Sequence, residues 1–156
     1  MAGRIDARLA ELGIHLPTPA SPVANYVPFV IAGDLVVISG QLPMEGGAVR
    51  TTGKLGRDVN VAAGIAAARL CFVNLLAQLH AACGGDLDRV AQVVRLGGFI
   101  AGGPDFHDHA AVMNGASDLA VEVFGDAGRH ARSTIGVSAL PRDAAVEVEG
   151  MFQLIA

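Results

Sequence analysis

Apolar positions recur along this chain at two different periods, and the switches between them outline its elements. Residues 3–12 place Ile5, Leu9 and Leu12 at helical spacing and stop at Gly13, which predicts a short helix. The run HLPTPASPVAN, 15–25, has no period and reads as an ordered loop. YVPFVIAGDLVVISGQLP, 26–43, holds two short strands around Gly33-Asp34, a two-residue hairpin turn with glycine first. The glycine-rich stretch 44–58 reads as a loop with one edge strand. From Asp58 to about Ala82 the period becomes helical, with Val61, Ile65, Ala68, Phe72, Leu75 and Leu79 in one stripe, Asp58 as N-cap and Gly84-Gly85 as the stop. Arg89–Ala101 is β-branched and predicts a strand. Asp105–Phe124 predicts a second long helix with Met113, Ala116, Ala120 and Val123 inward and Gly125 at its end.

Alternation returns over ARSTIGVSALPRDAAVEVEG, 131–150. One set of the first strand is Ala131, Ser133, Ile135 and Val137; the other is Arg132, Thr134 and Gly136. In the last strand Val146, Val148, Phe152 and Leu154 alternate with Glu147, Glu149, Met151, Gln153 and Ile155. A hairpin here brings the Arg132 and Glu147 faces together, as a site or as a cross-strand ion pair worth under about 1 kcal/mol. Met151 and Ile155 on the charged face are poor dressing for water. Strands interleaved with two long helices predict an α+β fold, helices on one face of a mixed sheet, with Arg132, Thr134, Glu147 and Glu149 on the other face toward solvent or another subunit.

Composition sharpens this. At 156 residues the chain suits one domain, 1–156. Charged residues make up 17% and hydrophobic ones 52%, against about 25% charged in a usual soluble protein, so some surface is expected to be buried between subunits. A net charge of −4, scattered basic residues and 4% aromatics without tryptophan argue against nucleic-acid binding. Cys71 and Cys83 fall in one predicted helix about 18 Å apart, beyond the roughly 7 Å a disulfide allows, and read as buried thiols. The N-terminus has no signal-peptide pattern, and no apolar run approaches the roughly 20 residues of a membrane span, so a cytoplasmic protein without membrane contact is expected.

Most isolated motifs carry little. GGAVRTTGKLG lacks phosphate-loop spacing and has Leu55 where a metal-facing hydroxyl belongs. His107 and His109 do not share a helix face and have no third ligand, so no metal is expected. His80 suits a helix C-terminus, and Ser39 suits hydrogen bonding in a turn. Asn114, taken alone, reads as surface.

In order, GDLVVISGQLP at 33–43, ARSTIGV at 131–137 and LPRDAAVEVEG at 140–150 resemble the RidA family, also called YjgF or L-PSP endoribonuclease-like. The resemblance runs from Tyr26 to the end. It implies a chorismate-mutase-like α+β fold and a homotrimer with ligand sites in clefts between subunits. It also implies hydrolysis of reactive enamines and imines, such as 2-aminoacrylate, to 2-oxo acids and ammonia, without a cofactor. On that pattern Arg132 matches the arginine that clamps the substrate carboxylate, and Glu147 the glutamate that holds the attacking water. Tyr26, Ser39, Gly40, Asn114 and Thr134 match positions lining the cleft, Thr134 where cysteine is common. His130 stands before Ala131 where minimal members commonly have proline, and joins the candidate substrate-binding residues. The helix and loop of 1–25 extend beyond the minimal domain and mark a subgroup. The leading function is an imine or enamine deaminase; the alternative is a non-catalytic binder of small carboxylates or 2-oxo acids anchored by Arg132. A ribonuclease, the older family name, fits the acidic composition least.

Overall fold

The turn at Gly33-Asp34 forms as expected: Gly33 takes φ +64°, a region an L side chain resists, and Ala32 faces Leu35 across the hairpin. It joins β1 (Phe29–Ala32) to β2 (Leu35–Gln41) in a computed structural model that describes residues 2–22 and 24–156. The loop expected over 15–25 is seen there without Val23, which lies outside the described residues, as does Met1. β5 (Val90–Ala101), β6 (Ala131–Val137) and β7 (Val146–Leu154) complete a mixed sheet in the order β1-β2-β7-β5-β6. Only the β5–β6 pair is parallel; the other pairs run antiparallel. In place of one edge strand, residues 44–58 give β3 (Met44–Glu45) and β4 (Ala48–Val49), paired with each other outside the main sheet.

The helix α1 (Arg4–Glu11) buries Ile5 and Leu9. Its first N–H groups, on Arg4 and Ile5, donate to the Asp88 carboxylate at 2.7 and 2.8 Å, and these bonds hold that carboxyl below its ordinary range. α2 (Val61–Ala82) starts at the first residue of the apolar stripe, with its cap two residues after the expected Asp58. Asn60 is the cap, accepting from the N–H of Ala63, while Asp58 is engaged by the Lys54 N–H and Arg57. Ala68, Phe72, Leu75 and Leu79 are buried as predicted, whereas Val61 and Ile65 run off the edge of the core. α2 is long and apolar enough to cross a membrane by length and composition, contrary to the expectation that no segment would be. Here it is the core helix, packed on the sheet beside α3 (His109–Phe124). α3 buries Met113, Ala116, Ala120 and Val123 and ends at Gly125, φ +63°. Cys71 and Cys83 are buried free thiols, and burial pushes the Cys71 thiol up.

Both helices cover one sheet face, where Val36, Ile38, Leu96, Ile100, Val148 and Phe152 are buried. The opposite face is bare and carries Val30, Val37 and Ile135, all more than two-fifths exposed, beside Met151 and Phe99. The expected β6–β7 hairpin does not form. β5 lies between the two strands, pairing Leu96 with Arg132 on one side and Phe99 with Glu147 on the other. Paired residues share a face, so Arg132 and Thr134 lie with Leu96 on the helix side, and Glu147 lies with Phe99 and Ile135 on the bare side. Arg132 and Thr134 are therefore absent from the face assigned to them, and no Arg132–Glu147 ion pair exists within the chain. The physical reason is the edge position of β6: beyond the core, its polar set meets the polar flank of α3.

Candidate functional site

The candidate residues fall into two groups. Tyr26, Ser39, Gly40 and Glu147 line one cleft of about 610 Å³. Ser39 is committed to structure: its hydroxyl donates to the Val27 carbonyl at 2.8 Å and its N–H to that of Pro28 at 2.9 Å, tying the Tyr26 segment to β2. It hydrogen-bonds as expected, though from within β2 and not from a turn. Between Ile38 and Gln41 the β2–β7 register shifts, and Gly40 sits in that irregularity. A Cβ on Gly40 would lie 2.7 Å from Oε1 of Glu147, so the missing side chain is what gives the carboxylate its space. Glu147 is half-buried, and no cation lies within ion-pair distance of it among the described residues. Burial first, and then the charge of Glu149, raise its carboxyl above the ordinary range. Glu149 itself faces Arg95 at 3.8 Å.

The wall of this cleft comes from sequence that carries no catalytic signature. Buried Gln78 of α2 donates to the Ala20 carbonyl at 2.9 Å and holds the 17–22 loop over the opening. Asn74 donates to the carbonyls of Leu42 and Met44, each at 3.0 Å. The N-terminal extension thus builds part of the site. Arg142 closes the far side with φ +57°, an uncommon backbone region for an arginine.

The second group stands at the other edge of the sheet. Nη1 of Arg132 donates to Oδ1 of Asn114 at 2.9 Å and to Oγ of Ser117 at 3.0 Å; Nη2 reaches the Ala110 carbonyl at 3.4 Å. A guanidinium has five protons. Three are engaged, leaving Nε–H and one on Nη2, two donors suited to the two oxygens of a carboxylate. Thr134 is next on this face, and its Oγ1 is buried without a partner among the described residues. His130, partly buried, packs against Ser117, Nε2 to Oγ 2.9 Å, with Nδ1 2.6 Å from the Gly128 carbonyl. Ser117 escaped the sequence reading. Its one signal was a small polar residue three positions after Asn114, on the same face of a helix. His107 is exposed, and His109 packs edge-on against Phe106.

A family model described as "YjgF/chorismate mutase-like, putative endoribonuclease" matches residues 6–152. The chain belongs to the YjgF family. It is 47% identical over 154 residues to protein TCP17 of Trypanosoma cruzi, covering 98% of this chain and 96% of that one. Among solved structures, Atu1372 of Agrobacterium tumefaciens, of unknown function, is 48% identical with a TM-score of 0.91, covering 97% of this chain and 92% of its own. A candidate endoribonuclease from Shewanella oneidensis is 37% identical with a TM-score of 0.94, covering 97% and 100%. The YjgF gene product of E. coli is similar at a greater distance, with 25% identity and a TM-score of 0.63 over 87% of this chain and 93% of its own.

Proposed function

We propose that the protein hydrolyses small reactive enamines and imines of the 2-aminoacrylate type to 2-oxo acids and ammonia, in clefts completed between copies of a homotrimer. One observation carries this: Glu147 and Arg132 lie on opposite faces of one sheet, each with chemistry left unspent. A substrate of a few atoms cannot touch both within one chain. A second copy laying its β6–α3 edge on the bare face would join them, and the exposed Val30, Val37 and Ile135 suit such a contact.

An imine carbon is already electrophilic, so water is a sufficient nucleophile and no cofactor is needed. Arg132 holds the substrate carboxylate through its two free donors. Glu147 accepts a proton as the water oxygen bonds to the C=N carbon, whose π electrons move to nitrogen. It returns the proton to that nitrogen, giving a carbinolamine, then takes the hydroxyl proton and passes it to the amino nitrogen, so that the C–N bond breaks and ammonia leaves as the C=O bond forms. A carboxylate with raised proton affinity suits both halves of this transfer. A polyanionic RNA suits the cleft less, since among the described residues that line it Arg142 is the one cation against Glu45 and Glu147.

An amino-acid oxidase that generates imines in the presence of semicarbazide tests this reading. Added protein should lower the semicarbazone signal as the imine is hydrolysed first. Binding of a 2-oxo acid with no effect on any imine would instead leave the carboxylate-binding alternative. Arg132→Ala should abolish both binding and turnover, and Arg132→Lys should fail largely, because an ammonium cannot reproduce the two-pronged contact. Light scattering should find three chains per particle; a lone chain at micromolar concentration would remove the shared cleft.

A further inference from the structure

We infer that Ser117 and His130 are positioning residues that fix which edge of Arg132 is offered to the substrate. This rests on the proposed reading of Arg132 as the carboxylate anchor.

With a neutral imidazole, counting protons along the chain of contacts leaves one arrangement. The Gly128 carbonyl can only accept, so His130 Nδ1, 2.6 Å away, carries a proton and donates it. In a neutral imidazole Nε2 is then a bare lone pair, and at 2.9 Å it takes the hydroxyl proton of Ser117. The Ser117 oxygen is thereby left with lone pairs only, one of which receives Nη1 of Arg132 at 3.0 Å. Asn114 completes the pair of acceptors, its Oδ1 receiving the other Nη1 proton at 2.9 Å. A serine hydroxyl normally rotates and can donate or accept. Here the imidazole holds the rotor and makes the serine a fixed acceptor.

Both Nη1 protons are consequently turned toward α3, and the guanidinium plane is pinned at one end. The free pair, Nε–H and one Nη2–H, faces away from those acceptors. An arginine side chain otherwise has much rotamer freedom to lose when it grips a ligand, and settling that orientation beforehand strengthens binding without new contacts to the substrate. Apart from each other, Ser117 and His130 hydrogen-bond in this network only to Arg132 and to the backbone among the described residues, so their effect belongs to ground-state binding. It should appear in KM and in product affinity rather than in kcat.

Calorimetric binding of 2-oxobutanoate to the full-length protein, beside imine kinetics, tests this. Ser117→Ala should weaken 2-oxobutanoate binding about tenfold, the scale of one hydrogen bond to a charged group. KM should rise in step, with kcat within about twofold. Ser117→Thr keeps the hydroxyl and should restore affinity. His130→Phe should weaken binding less, and the double variant should be no worse than Ser117→Ala, because His130 acts through Ser117. Long-range nitrogen NMR should show His130 protonated on Nδ1 and bare on Nε2. Wild-type affinity in Ser117→Ala while Arg132→Ala abolishes binding would overturn this inference and leave the anchor standing. Additive losses in the double variant, or an Nε2–H tautomer, would also overturn it. Full affinity in Arg132→Ala would overturn both.

Discussion

Glu147→Gln should lower imine turnover about a hundredfold or more, the usual contribution of a general acid–base group, while leaving 2-oxo acid binding nearly unchanged. The amide keeps the shape that Gly40 accommodates but cannot take and return a proton. Affinity for an anionic product should hold or rise, since one negative charge leaves the cleft. Equal loss of binding and turnover would make Glu147 an architectural group. The same variant should also change stability with a definite sign. The folded protein raises the Glu147 carboxyl above its unfolded value through burial and Glu149, so folding favours the protonated form. That contribution is complete below the ordinary carboxylate range and is lost as pH rises through the raised folded value. Glu147→Gln should therefore melt above the wild type at neutral pH, with the gap closing on acidification. That order is expected of dispersed chains, where an unchanged melting temperature would overturn it; in the assembled particle the neighbour's Arg132 opposes it, and a wild type more stable there at neutral pH would support the shared cleft.

The largest effect on folding is expected at Gly115. A Cβ there would fall on the carbonyl oxygen of Ile65, 2.9 Å from its carbon and 3.2 Å from the Arg69 nitrogen, all backbone atoms of α2. Alanine gains about 1 kcal/mol of helix propensity over glycine. Overpacking costs about 1–3 kcal/mol and sometimes more, and obstacles made of backbone on a packed helix put this site at or above the upper end. Gly115→Ala should lower the melting temperature by roughly 5–10 °C, measured by calorimetry. An unchanged melting temperature would mean that α2 and α3 do not meet this closely. Because α3 also carries Asn114 and Ser117, the loss should extend to carboxylate binding.

Period and turn chemistry made much of the fold legible. The strict alternation of Val146–Leu154 shows which face is core, Gly33-Asp34 marks the β1–β2 hairpin, and Met113, Ala116, Ala120 and Val123 of α3 are buried as expected, with Val112, Gly115, Leu119 and Phe124 buried beside them. Strand partnership was not legible in the same way. β6 and β7 follow one another across Pro141, and neighbours in sequence often pair; here β7 inserts between β2 and β5. A clue was present, since a strand, a long helix and another strand form the crossover that parallel neighbours require, and β5–α3–β6 is such a unit. β6 also misled because neither of its faces is core: Ala131, Ser133 and Ile135 are exposed while Arg132 and Thr134 meet α3. The motifs marked Glu147 and Arg132 as separate residues, but alternation within a strand cannot tell which of two sheet faces a distant strand shares. Ser117 and the Gln78–Ala20 tether went unseen because each acts through a contact between residues far apart in sequence or through a third group.

Setting the anchor and the base on opposite sides of one sheet means, under the proposed reading, that no chain owns a whole catalytic centre. Each molecule lends its arginine to one neighbour and receives another's over its own glutamate. Catalysis would then be lost on dilution before the fold is. A defect in one partner would silence one cleft and spare another, so chains with different lesions could assemble into particles that still work.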